Sequence, residues 1–196
     1  MNRREDTSTL LDLLRARHST PARQLGDPGP DAAQLRELLE AAVCVPDHGK
    51  LAPWRLILLQ GEDRVRYGER LAELHARVDP GAAPSQLDKD RARFNAAPLV
   101  IAVIARVDEN HPKIPAQEQL LSAGCVAYNL LLGAQALGFG AQWLTGWSAY
   151  DRDAAALLGL RDHERLIAYV HVGTPREEAP QRARPEPETI ASAWTA

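Results

Sequence analysis

Pro98-Leu99-Val100-Ile101-Ala102-Val103-Ile104-Ala105-Arg106-Val107 is the stretch whose reading decides the fold. It is nearly all apolar and rich in Val and Ile, the pattern of a strand buried on both faces. Such a strand needs cover above and below. Downstream, the Asn110–Pro115 loop leads into the longest predicted helix, Ala116–Leu137. Small residues run through that helix (Ser122, Ala123, Gly124, Ala127, Gly133, Ala134) and allow close packing against a neighbour. Gly138 closes it, Phe139–Thr145 reads as a strand, Asp151–Leu158 as a short helix, and Arg165–Val172 as the last strand, ending on Gly173-Thr174-Pro175.

Upstream, Thr7–His18 carries Leu10, Leu11, Leu13 and Leu14 at helical spacing, with Thr7 or Ser8 as the expected N-cap. A Pro/Gly-rich connection spans Ser19–Pro30. Asp31 then opens an amphipathic helix that runs to about Val45, with Leu35, Leu38, Leu39 and Ala42 on one face. Trp54–Leu59 reads as a strand interrupted by Gly61, Arg64–Val78 as an Arg-rich helix, Asp79–Pro84 as a break, and Ser85–Asn95 as a short charged helix. Strands and helices alternate, but not as a clean βαβ series, and no Gly-x-Gly-x-x-Gly opens a helix. That argues against a dinucleotide-binding Rossmann fold and for an α+β domain.

The chain has 196 residues, 45% of them hydrophobic, enough for one domain with a proper core. A net charge of −3 gives no reason to expect nucleic acid. Its three lysines are Lys50, Lys89 and Lys113, so positive charge is almost all arginine. Cys44 and Cys125 are too few and too far apart for a disulfide framework or a zinc site, so no metal is expected and the thiols are read as reduced. The charged start, Met1–Asp6, shows no signal peptide, and no apolar run approaches a membrane span. A cytoplasmic protein without a membrane partner is the expectation.

Two polar segments stand out from this framework. Pro46-Asp47-His48-Gly49-Lys50-Leu51-Ala52-Pro53-Trp54 is stiffened by a proline near each end and closed by an aromatic plate. Such a loop suits a planar ligand with a polar rim, and an ordinary helix-to-strand connection can have the same composition. The other is Arg17-His18-Ser19, at the end of the first helix; the bland reading of Arg17 is a cation answering the helix dipole.

Taken in order, four landmarks resemble the nitroreductase family, specifically its short bacterial members. They are Ala16-Arg17-His18-Ser19-Thr20 after a Leu-rich helix, the Pro46–Trp54 loop, Ser122-Ala123-Gly124-Cys125 running on to Gly138-Phe139-Gly140-Ala141-Gln142-Trp143, and Val172-Gly173-Thr174-Pro175 ahead of a Pro-rich tail. The resemblance covers most of the chain. It implies a central mixed, mainly antiparallel sheet flanked by helices, one domain over residues 1–196, and an intertwined homodimer. The tail, residues 174–196, with Pro175, Pro180, Pro185 and Pro187, would form no regular element and would wrap the partner subunit.

It further implies FMN at the subunit interface, NADH or NADPH as reductant, and small electron-poor aromatic acceptors such as nitroaromatics or quinones. Arg17, His18 and Ser19 would hold the FMN phosphate or ribityl chain, with Arg184 or Arg182 as a second cation. Cys44, His48 and Lys50 would approach the flavin, the loop residues from the second subunit. Trp143, Leu144 and Thr145 would pass along the ring, and Gly133, Ala134, Gln135, Ala136, Leu137 and Gly138 would lie at the nicotinamide opening. No side chain would act as nucleophile or acid–base catalyst, since the flavin does that work.

Departures from the family pattern carry predictions too. Many members have Asn where Lys50 stands, Gln where Ala52 stands, and a Lys or Arg where Pro21 stands. Lys50 is therefore expected to replace the lost cation beside the reduced ring. Leu144 stands where related members can carry a basic residue, which leaves the choice between NADH and NADPH open. A dimer of the same fold that fragments its flavin, or has a sensing or structural role, is the alternative reading.

Overall fold

The computed structural model describes residues 3–180 and 182–195, without the side chains of residues 3–9; residues 1, 2, 181 and 196 of the expected domain lie outside it. Its elements are α1 (Arg3–Ala16), β1 (Leu25–Gly26), α2 (Ala32–Ala42), β2 (Trp54–Gln60), α3 (Gly61–Val78), α4 (Pro84–Arg93), β3 (Leu99–Arg106), α5 (Ala116–Ala136), β4 (Gly140–Leu144), α6 (Arg152–Leu157) and β5 (Glu164–Pro175). These form one five-stranded sheet: β2, β3 and β5 run side by side, and the far edge of β5 takes both β1 and β4.

Every pairing among the described residues is antiparallel. The mixed sheet of the sequence reading therefore narrows to an antiparallel one within the chain. The connections explain why. β2 ends at Gln60, directly opposite Leu99, because the hairpin of α3 and α4 returns the chain to the end it left.

β3 decides the layering. Leu99 through Ala105 are all buried. Leu99, Ile101 and Val103 meet Val126, Ala127 and Leu130 of α5 and Leu38 of α2 on one face. Val100, Ala102 and Ile104 meet Tyr67, Leu71 and Leu74 of α3 and Phe94 on the other. Strict alternation of side chains across the strand thus feeds two cores at once. β5 does the same, except that Ile167 is an extra residue opposite the Val103–Ile104 step.

Several boundaries differ from expectation. α1 starts at Arg3, not at a Thr7 or Ser8 cap, because nothing in the preceding charged run breaks a helix, and it stops at Ala16. Asp31 is the N-cap of α2 as expected; its carboxylate accepts from the backbone N–H of Ala33 (2.9 Å) and Gln34 (2.8 Å). Gly61 does not interrupt a strand but begins α3 in a left-handed conformation (φ 52°). The short β1 was hidden in the Pro/Gly-rich connection, where only its partner on β5 defines it. In the tail, Pro187–Thr189 makes one 3-10 turn where no regular element was expected, since Pro187 presets the helical φ.

Candidate functional site

The Pro46–Pro53 loop is built by its own polar groups. Asp47 accepts from the N–H of Leu51 (3.2 Å) and of Ala52 (2.8 Å). Those bonds hold a backbone in which Lys50 (φ 55°) and Ala52 (φ 46°) are left-handed without being glycine. Ser122 of α5 pins the loop from beneath: its hydroxyl donates to the Pro46 carbonyl (2.8 Å) and accepts from the Trp54 indole N–H (3.1 Å). Trp54 is partly buried and packs on the core, so it anchors the start of the strand. His48 Nδ1 lies 2.6 Å from Glu118 Oε2, both side chains about half exposed. Between loop and helix is a cavity of about 220 Å³, edged by His48, Leu51, Ile114, Glu118 and Cys125. Lys50 stands exposed beside it.

A second constellation forms on the opposite face of the sheet. After α1 the chain passes Arg17, His18 and Ser19, then docks onto β4. The Thr20 N–H donates to the Ala141 carbonyl (3.0 Å) and the Ala22 N–H to Gln142 Oε1 (2.6 Å). The tail folds back to this corner, where Arg184 donates to the Arg17 carbonyl (2.9 Å). Beyond it lies a cavity of about 520 Å³, bounded by Leu144, Thr145, Arg23, Lys89, Ala92 and Arg93. The end of β4, the loop after α1 and the last turns of α4 therefore meet around one space.

Arg93 is the best-placed cation there. It donates to the Thr145 carbonyl (2.7 Å) and lies against Gly146, where any Cβ would collide with its guanidinium. Behind it, His171 of β5 is fully buried, and neither ring nitrogen has a partner. Burial, helped by the Arg93 charge, pushes the His171 imidazole down to about 4, so it stays neutral. Asp90 of α4 is also buried, but both of its oxygens are taken: His75 Nδ1 at 2.5 Å and the Trp147 indole N–H at 3.0 Å.

The fold does not gather all the expected site residues. Trp143 alternates away from Leu144 and packs into the core under α5. Cys44 lies exposed just past α2, its thiol donating to the Glu40 carbonyl (3.3 Å). Gly133 through Gly138 end α5 against α2: a Cβ on Gly133 would sit 2.7 Å from Leu38, and Ala134 is fully buried. Neither cavity is lined by this segment. Arg23, Lys89, Arg93, Gln142 and His171 were not picked out from the sequence. α4 reads as a solvated charged helix, and only the approach of β4 gives its last turn a partner. Among the described residues no group of His, Cys, Asp or Glu is arranged to hold a metal, and no helix is long and apolar enough to cross a membrane.

The sequence model of the nitroreductase family matches residues 14–174. The chain belongs to this family. A nitroreductase relative from Haemophilus influenzae, named "Putative NAD(P)H nitroreductase", is 37% identical over 89% of this chain and 92% of its own length. The Escherichia coli K12 protein "Putative NAD(P)H nitroreductase YdjA" is 34% identical over 86% and 90%. In three dimensions the chain resembles a nitroreductase-like family protein from Bacillus cereus, with a TM-score of 0.79 at 23% identity, covering 94% of this chain and 95% of that one. The second cavity thus lies within the family's matched span, and so does every cation that lines it.

Proposed function

We propose that this chain is an FMN-dependent oxidoreductase, which takes a hydride from NADH or NADPH and passes it to small electron-poor aromatic acceptors. The observation that carries the reading is the nitroreductase match across residues 14–174 combined with the cation-lined cavity at Leu144 and Thr145. Relatives named as NAD(P)H nitroreductases support the reductant, and a similar structure from Desulfovibrio desulfuricans (TM-score 0.72, 21% identity) is described as a complex with FMN.

The residues present fit FMN. A flat ring needs small side chains to slide past, and Ala22, Ala92, Ala96 and Gly146 line the cavity. An anionic ligand needs charge, and Arg23, Lys89 and Arg93 supply it without a carboxylate among the lining residues. Arg17, His18, Ser19 and Arg184, which do not line the cavity, would hold the phosphate or ribityl chain, and Leu144 and Thr145 would line the ring. Trp143 would act from behind, fixing β4 on the core.

Cys44, His48 and Lys50 stand on the α5 side of the sheet, so they would reach the ring from a second copy. A homodimer is therefore part of the proposal, with residues 174–196 wrapping the partner. When bound, FMN supplies a two-electron carrier. The chain's part is to bind it, orient it and leave one face open to nicotinamide and acceptor in turn, which predicts ping-pong kinetics. The protein would act in the cytoplasm.

A visible spectrum of the purified protein, before and after anaerobic NADH or NADPH, tests this. Flavin absorption that bleaches with nucleotide is the expected result. A protein that stays colourless after incubation with FMN overturns it.

A further inference from the structure

Arg93 is half-buried and has no ion-pair partner among the described residues. Among the described residues no carboxylate pairs with Arg93, Lys89 or Arg23. A guanidinium has five N–H donors, yet one accepting oxygen is found for Arg93, the Thr145 carbonyl. The nearest acid on its own helix, Asp90, is taken by His75 and Trp147. His171, which adds to the surroundings, is neutral and brings no compensating charge. A partly desolvated cation left in this state calls for an anion that the described residues do not provide. The space in front of it is the cavity at Leu144 and Thr145.

Lys50, the cation expected from the sequence to stand beside the reduced ring, would reach it only from a second copy. It is exposed on a loop over α5, and the cavity beside that loop shares no lining residue with the one at Arg93. Within one subunit the sheet separates them.

We propose that α4 supplies the charge that stabilises reduced FMN: Arg93 in the leading role, with Lys89 one helical turn before it. This rests on the FMN reading above. Hydride transfer breaks a C–H bond of the nicotinamide, forms an N–H bond on the flavin and releases NAD(P)⁺. Two electrons and one proton are delivered, so the bound ring gains one negative charge. A cation facing that ring binds the reduced form better than the oxidised form, and raises the midpoint potential by the difference. Arg93 is held ready by Thr145 and by the missing side chain of Gly146, so its placement needs no rearrangement on reduction. Removal of a cation that instead grips the phosphate weakens both forms equally and leaves the potential where it was.

The test uses the FMN-loaded protein and the variants Arg93→Met, Arg93→Lys, Lys89→Met and Lys50→Met. Midpoint potential is read by anaerobic dye equilibration, and the Kd of oxidised FMN by fluorescence quenching. In Arg93→Met and Lys89→Met the ratio of reduced to oxidised affinity is expected to fall about tenfold, a drop of about 30 mV for a two-electron couple. Oxidised-FMN Kd should stay within about threefold of the parent, and Arg93→Lys should recover most of the potential. Lys89 is exposed, so its variant keeps the proposal testable if Arg93→Met does not fold. The proposal is overturned if the potential stays put in both α4 variants, if they lose oxidised and reduced FMN equally, or if Lys50→Met alone shifts it. Failure of the parent protein to take up FMN at all would instead sink the oxidoreductase reading beneath it.

Discussion

His171 shows how one residue ties the stability of this protein to pH. Its ring is fully buried among Phe94 and the strands, with both nitrogens unpartnered. With its folded value near 4 against the ordinary 6.5, the unfolded chain takes up a proton in that window that the folded chain refuses. Stability is therefore complete above about pH 6.5 and falls as pH drops towards 4, by up to about 3 kcal/mol. His171→Leu should flatten that slope in denaturant titrations from pH 4 to 7, and should raise Tm, because two unsatisfied polar atoms are removed. Retention of the slope in the variant would assign it to other groups. Glu164 behaves in the opposite sense. Its carboxylate, almost fully buried, takes a two-point bond from Arg55 (2.6 and 2.8 Å) and one from the Arg161 N–H, which together hold it down at about 2. That stability is present above the ordinary carboxylate range and is lost only as pH falls towards 2. Arg55→Met strands the charge, and urea unfolding should show a loss of about 3 kcal/mol.

At the scale of elements, β3 and α2 illustrate two different kinds of legibility. β3 was readable because a run of Val, Ile, Leu and Ala with no polar break has few alternatives to a strand covered twice. Ile101→Ala should cost about 3 kcal/mol in chemical denaturation, since Ile101 is fully buried in the α5-side core. α2 was readable from its cap. Asp31→Ala should cost about 1 kcal/mol, with Gln34 left to bond the Asp31-position N–H alone. β1 and the start of α1 were not readable: the first exists only because β5 offers two residues of unpaired edge, and the second extends through charges that have no apolar period. α4 was legible as a short charged helix, with nothing in its sequence marking it as a source of site residues. Its charges look like a solvated face until β4 and Gly146 come up against Arg93.

Considered whole, the molecule leaves apolar side chains uncovered in a way that fits assembly. Leu10, Leu11 and Leu14 of α1, Val43 after α2, Leu121 and Tyr128 of α5, and Ile190 and Trp194 of the tail are all exposed. Apolar exposure spread over α1, α5 and a trailing tail matches the intertwined dimer under the proposed function. Sedimentation should give twice the 21.5 kDa chain mass, and the pair Leu121→Glu with Tyr128→Glu should shift it to monomer and release FMN. A monomeric parent that still holds flavin would end the interface reading.

The sequence by itself determined the α+β class, the buried strand, the long small-residue helix and the ordered motifs of the nitroreductase family. Those are written in local periodicity and in residues that follow one another closely along the chain. Tertiary structure alone decided which side chains share a space. It turned Trp143 into the core while Leu144 faced the cavity, set the Pro46–Pro53 loop on the other side of the sheet, and brought Arg93 to Thr145 across 52 positions of sequence. The physical reason is that a charge gains meaning from the groups folding brings beside it, and no spacing along the chain records them.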